Sequence, residues 1–130
     1  MRALVLIAQL YLGLYFLHNA ANHFRGVQAM AGFAKMRGVP APQNLWVLVT
    51  GAMHLGAGLS LLLGYRVEVG AWLGIIFLLL AAFLVHHFWT DQGMDRIGQQ
   101  VNFGKNLALA AALLLITRLP PDSWVIALGK

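Results

Sequence analysis

The sequence contains no cysteine among its 130 residues. That absence excludes thiol–disulfide exchange by the chain itself, a thiolate-ligated metal site and a cysteine-bound iron–sulfur cluster. It also excludes a disulfide-stapled secreted domain. Charge is scarce as well. Only 10% of the residues are charged, nine basic and four acidic, where an ordinary soluble domain carries about 25%. A small domain buries a smaller share of its surface than a large one, so these few charges cannot keep it wet. What fills the chain instead is apolar: 60% hydrophobic residues and a mean hydropathy of +0.73. The composition fits neither a water-soluble globule nor a disordered chain. It is that of an integral membrane protein.

A bilayer core about 30 Å thick needs roughly 20 mostly apolar helical residues. Four stretches meet or approach that length, at about residues 3–22, 45–63, 69–89 and 102–119. The expected fold is therefore all-α, a four-transmembrane-helix bundle forming a single membrane domain over residues 1–130. The first stretch has a rival reading as a secretory signal peptide, because Arg2 precedes an apolar run that ends near Ala20-Ala21. Gln9, Tyr11 and Tyr15 inside the run, and the lack of a small-x-small cleavage site, favour a packed helix. Between the first two stretches, residues 23–37 read HFRGVQAMAGFAKMR, with Phe24, Val27, Met30 and Ala34 at helical spacing. This predicts a short amphipathic interfacial helix, with an irregular loop as the alternative. Gly38-Val39-Pro40-Ala41-Pro42 stops it. Gly64-Tyr65-Arg66 makes a tight turn, so the second and third stretches are antiparallel neighbours. Thr90–Gln100 reads as a polar connection, and Pro120-Pro121 ends the fourth stretch. Trp46, Trp72, Trp89 and Trp124 read as interface anchors, with the tail from Asp122 to Lys130 lying at an interface.

Orientation is not encoded. Four spans place Arg2, Arg66, Arg118 and Lys130 on one side and Arg25, Lys35, Arg37, Arg96 and Lys105 on the other. Neither side has the Lys/Arg excess that sets topology. The net charge of +5 favours anionic lipid. Membrane lipids are the expected surroundings, and nucleic acid is not an expected partner.

The intramembrane polar residues crowd towards the side that carries the two longer connections, the loop side. The first stretch offers Tyr11, Tyr15, His18 and Asn22, spaced i, i+4, i+7, i+11 on one helical face, with Asn19 and His23 beside it. The second offers Thr50 and His54. The third offers His86, His87 and Trp89, and the fourth offers Asn102, Lys105 and Asn106. The turn side receives chiefly Gln9, Ser60 and Thr117. Polar groups within a span are expensive and usually face the bundle interior, so four helices contributing them at similar depth predict one shared pocket. His18, Asn22, His54, His86, Asn102, Lys105 and Asn106 are the candidate ligand-binding residues. Each has a plainer reading. His18 and His23 suit the headgroup level. Lys105 could snorkel or pair with Asp91 or Asp95. His54, eight residues past Trp46 and so about 12 Å deeper, could simply bond a neighbouring helix. No two histidines stand i, i+4; a metal would need assembly across helices, and haem would need a facing pair such as His54 and His86. No metal and no intrinsic cofactor are expected. The four stretches contain neither Asp nor Glu, and no P-loop or dinucleotide fingerprint occurs. Catalytic residues cannot be assigned.

Gly38–Pro42 (G-V-P-x-P), Gly51–Arg66 (G-A-M-H-L-G-A-G-L-S-L-L-L-G-Y-R), His86–Trp89 (H-H-F-W) and Asn102–Leu109 (N-F-G-K-N-L-A-L) together resemble the DoxX family of small four-helix membrane proteins. The resemblance covers nearly the whole chain. It implies a bacterial or archaeal inner-membrane protein tied to a redox system, as in the membrane part of a thiosulfate:quinone oxidoreductase. One departure is that His54 stands where the family usually carries an acidic residue. The expected function is thus a membrane subunit or accessory protein of a redox system, with a polar pocket for a quinone or similar lipophilic molecule. The alternative is a non-catalytic protein that docks on a larger membrane complex. Either reading expects a partner membrane or membrane-associated protein, and self-association stays open.

Overall fold

The computed structural model describes residues 2–128. Lys130, counted above with the turn-side charges, lies outside them. Five α-helices carry the fold: α1 Arg2–Arg25, α2 Val27–Met36, α3 Gln43–Leu63, α4 Val67–Leu80 and α5 Gly93–Ile116. No strand occurs among the described residues. Three helical stretches are long and apolar enough to cross a membrane: Arg2–Arg25, Gln43–Leu63 and Val67–Thr90.

Local chemistry sets the boundaries. Gly26 separates α1 from α2, and α1 runs three residues beyond the expected end at Asn22. At the end of α2, Gly38 takes φ +79°. Its N–H reaches the Lys35 carbonyl at 3.0 Å and the Val39 N–H reaches the Ala34 carbonyl at 3.0 Å. This is the Schellman closure that a left-handed glycine permits, and Pro40 and Pro42 follow. The turn after α3 repeats the device: Gly64 sits at φ +61° and the Tyr65 N–H bonds the Ser60 carbonyl. A Cβ on Gly64 would run into the Ile126 carbonyl oxygen. The Ser60 hydroxyl donates to the Tyr65 and Arg66 carbonyls at 2.7 and 2.8 Å. The antiparallel α3–α4 hairpin is thereby fixed at its turn.

Two elements differ from the sequence reading. The third stretch is not a continuous helix to Trp89. It widens into a π-turn at Ala81–Val85, closed by His86 N–H on the Ala81 carbonyl at 2.9 Å, and a short 3₁₀ turn follows at Phe88–Thr90. The polar connection 90–100 is shorter than expected, because α5 begins at Gly93. Asp95 in its first turn complements the exposed N–H groups there. Gly98 has no neighbouring atoms at its Cβ position; it reads as a breaker, but an exposed helix tolerates it for about 1 kcal/mol.

α1 packs on α3, α3 on α4, and α4 on α5, with α2 laid against α3. Small residues let the helices approach: a Cβ on Gly13 would meet the Leu62 backbone at 2.9 Å. The core joins Phe16 of α1, Ala57 and Leu61 of α3, Ala71, Ile75 and Leu78 of α4, and Ala110 and Leu113 of α5. Trp124 also belongs to it. It is buried against the core rather than lying out at an interface, because the tail folds back over the turn end.

Candidate functional site

The buried face of α1 is Gln9, Gly13, Phe16 and Ala20, spaced i, i+4, i+7, i+11. The expected polar face of Tyr11, Tyr15, His18 and Asn22 has the same spacing two residues out of phase, about 200° around the helix. Tyr11 is 70% exposed, and His18 is exposed too. The side chains of α1 that turn towards the hollow of the bundle are instead Tyr15, Asn19 and His23.

That hollow is a cavity of about 610 Å³. α1, α3, α4 with its π-turn, and α5 supply its walls. α2 and the Val39-Pro40 segment cover one side through Met30, Phe33 and Ala34. The lining is mostly apolar. Of the expected ligand-binding residues, His54, His86, Lys105 and Asn106 come together here, while His18, Asn22 and Asn102 are not among the lining residues. Asn102 accepts a hydrogen bond from Lys105 Nζ at 3.2 Å, and Asp91, an expected partner of Lys105, is taken by Arg37.

The densest part of the wall is aromatic. His54, 3% exposed, packs against Phe77 with ring centroids 4.0 Å apart, against His23 at 4.7 Å and against Phe16 at 5.6 Å. His54 Nδ1 bonds the Thr50 carbonyl at 2.9 Å and His23 Nδ1 bonds the Asn19 carbonyl at 2.8 Å. A carbonyl only accepts, so each Nδ1 is the donor and a neutral ring leaves Nε2 as an acceptor. His86 is aimed by the π-turn, which shifts the register of α4 just before it, and its Nδ1 meets the Gln99 Oε1 at 2.7 Å. π-turns inside helices recur at functional sites. Asn106 is buried and completes the wall from α5. Phe77 carries no polar signal and was not readable as a site residue. Asn19 and His23 were visible as polar residues beside the wrong face.

Arg37 was not foreseen and fixes this end of the molecule. From the end of α2 its guanidinium donates to the Val85 carbonyl at 2.7 Å and the His87 carbonyl at 3.1 Å. It also grips both carboxylate oxygens of Asp91 at 2.7 and 2.9 Å. Such a fork-on-carboxylate pair is directional as well as charge-assisted. The carbonyls it uses are those freed where α4 leaves helical geometry. The hydrogen bonds from Arg37 hold the Asp91 carboxyl below the usual carboxylate range.

The other buried polar side chain works differently. Gln9, 1% exposed, donates to the Leu61 carbonyl at 3.2 Å and the Ile126 carbonyl at 2.7 Å, and its Oε1 accepts the Ile126 N–H at 3.2 Å. It is fully bonded and distant from the histidines. A smaller hollow of about 430 Å³ at this turn end, beside Tyr65 and Trp124, gathers no histidine. Among the described residues no group of three or more His, Asp or Glu comes together as a metal site.

The DoxX family model matches residues 4–87, well over half of the chain. The chain belongs to the DoxX family. The DoxX match spans α1 to the π-turn and so includes His23, His54 and His86, while Lys105 and Asn106 lie beyond it. This DoxX protein is also similar to the inner membrane protein YphA of Escherichia coli (strain K12). The two are 29% identical over 121 residues, covering 92% of this chain and 85% of the relative. No solved structure matches it. The DoxX membership, the inner-membrane relative and the three long apolar helices together make this a membrane protein.

Proposed function

We propose that this chain is a multi-pass inner-membrane component of a redox system, whose loop-side cavity binds a quinone or similar lipophilic molecule. The observation that carries the reading is the cavity itself. Its volume of about 610 Å³ suits a small-molecule site, and apolar walls with a few convergent polar groups are what such sites share. An aromatic head would lie against His54 and Phe77, with Asn106 and Lys105 available to its oxygens and the apolar residues of α4 along its tail. A quinone, when bound, supplies the two-electron chemistry. The residues bind the head, orient it and keep water from it. The chain has no cysteine, so electrons come from a partner protein.

This reading takes α5 as a fourth span in one membrane domain, its apolar second half packed on α4 and its polar first two turns at the surface. It takes α2 as an interfacial helix, with exposed Met36 towards lipid beside Lys35. The name of the E. coli relative supports the inner membrane as the location. The test is purification from native membranes in mild detergent, followed by solvent extraction and quantitation of isoprenoid quinones. A quinone near one per chain is expected. No quinone, together with no thermal stabilisation by added quinone or hydroquinone, overturns the reading.

A further inference from the structure

The histidine part of the cavity wall offers hydrogen-bond acceptors and no free donors, while Tyr15, Asn19, Lys105 and Asn106 keep donors elsewhere on the wall. Six polar side chains that line it have an N–H or O–H donor already taken up by the protein. Nδ1 of His23, His54 and His86 donates to the Asn19 carbonyl, the Thr50 carbonyl and Gln99 Oε1. Asn19 Nδ2 donates to the Tyr15 carbonyl at 2.8 Å, and Thr50 Oγ1 to the Trp46 carbonyl at 2.8 Å. Trp46 Nε1 donates to the Pro40 carbonyl at 3.1 Å. What these groups leave for a ligand is lone pairs, above all the three imidazole Nε2 atoms, which have no protein partner among the described residues. None of the buried polar atoms described is sealed away unpaired. His54 is almost wholly buried yet lines the cavity, so its Nε2 opens into that space.

Lone pairs can be met by a metal ion or by a proton donor. A metal needs more ligands than the residues gather here. A quinone carbonyl meets the lone pairs badly, since it too only accepts, and burying acceptor against acceptor costs the desolvation of both. A phenolic hydroxyl meets them well. Its O–H donates to an imidazole Nε2, and its oxygen can still accept from Asn106 or Lys105, whose N–H groups are the free donors on α5. The Phe77 ring, its centroid 4.0 Å from that of His54, also lines the cavity and gives an aromatic head an apolar contact.

We infer that the cavity selects the reduced, hydroxyl-bearing state of its ligand: a hydroquinone or catechol head in preference to the oxidised quinone. This rests on the binding reading above and adds the chemical form that is recognised. The shared chemistry fits a long-tailed membrane quinol and a short free phenol alike, and the tail length of the probe tells them apart.

The experiment uses the full chain in mild detergent under anaerobic conditions, with thermal unfolding as the readout. The probes are a decyl-substituted benzoquinone, its hydroquinone, the dimethyl ether of that hydroquinone, and unsubstituted hydroquinone. Binding to the folded state raises Tm with probe concentration. The decyl hydroquinone is expected to half-saturate the shift at a concentration about tenfold lower than the quinone or the diether, the worth of one well-made hydrogen bond. A membrane quinol as the source predicts that the unsubstituted hydroquinone is weaker still; equal action by it assigns the site to a short phenol and leaves the hydroxyl preference standing. His54→Phe keeps the aromatic contacts and is expected to erase the preference. Should that variant fail to fold, His23→Phe, which removes a second of the open Nε2 acceptors and keeps a ring beside His54, is expected to weaken it, and the comparison of probes on the unaltered chain decides the matter regardless. A quinone or diether that binds as tightly as the hydroquinone overturns this inference and leaves the binding reading intact. If no probe shifts Tm, both fall.

Discussion

The two ends of the bundle each bury a polar side chain, and they do so in opposite ways. At the turn end, Gln9 is bonded through both its amide nitrogen and its oxygen, to the Leu61 and Ile126 backbone. At the loop end, His54 has one nitrogen fixed on its own helix and the other open to a cavity of about 610 Å³. A saturated polar group holds helices together. A half-saturated one is held in readiness for something else, because leaving it unmet is costly. The difference separates the part of the molecule that stabilises from the part that binds.

The largest expected effect comes from breaking the saturated end. Gln9→Ala leaves Ile126 without its side-chain partners and opens a void, so unfolding in detergent should show a loss of about 2–4 kcal/mol. Hydroquinone binding by the fraction that stays folded should be unchanged. A mild effect on stability would mean that the turn end is not the stabilising half.

Next comes the Arg37 clamp. Arg37→Met removes donors from the Val85 and His87 carbonyls as well as from Asp91. Faster amide hydrogen exchange is expected in the π-turn and the Phe88–Thr90 turn, with α3 unaffected. The pH dependence has a definite sign. The folded-state pKa of Asp91 is lowered by its bonds from Arg37. The stabilisation is therefore fully present above the unfolded value, about 3.9, and is lost as pH falls through the lower folded value. Protection factors in this segment, corrected for the intrinsic pH dependence of exchange, should stay high at neutral pH and fall in acid, and the Arg37→Met protein should lack that acid response.

A smaller effect on stability, and the sharpest contrast with Gln9, is expected of His54→Phe. It preserves packing against Phe16 and Phe77 and removes an unmet acceptor, so its stability should lie within about 1 kcal/mol of the parent, while the preference for hydroquinone over quinone in ligand-induced stabilisation disappears. The smallest change is Gly98→Ala. The position is helical, exposed and free of neighbours, so a gain of about 0.5–1 kcal/mol in thermal unfolding is expected without change in binding. A loss instead would mean that a partner covers this face of α5.

How much of this could be read from the residues differs between the same two ends. The glycine turns at Gly38 and Gly64 were legible because left-handed backbone has a strong residue preference. The helical character of four stretches followed from apolar length alone. The direction of the polar face of α1 was not legible. Spacing defines a face without saying which way it points, and the face that packs is the one with Gly13, Phe16 and Ala20, whose small residues carried the signal. The π-turn was hidden because Ala81–Val85 is uniformly apolar and leaves no mark of a changed hydrogen-bond register. The start of α5 was obscured by Gly93 and Gly98. Four of the seven candidate residues line the cavity: His54, Lys105 and Asn106 on helices whose facing was constrained by burial of neighbours, and His86 just past the π-turn. The aromatic partner Phe77 and the clamp residue Arg37 emerge only once α4 and α2 are placed side by side.

The bond between Gln9 and Ile126 also has a meaning in time. The two residues are 117 positions apart, so the side chain that anchors α1 waits for all the intervening chain to be made before its main partner emerges. Until then its amide has the Leu61 and Leu62 carbonyls of the α3–α4 hairpin to lean on. The first helix can be threaded early and shelved against α3, but its seat is locked only once Ile126 is in place. Chains that stall or are trimmed just before Ile126 should therefore be distinguishable from chains that include it by a loose first helix, which gives a cell a physical basis for telling the two apart.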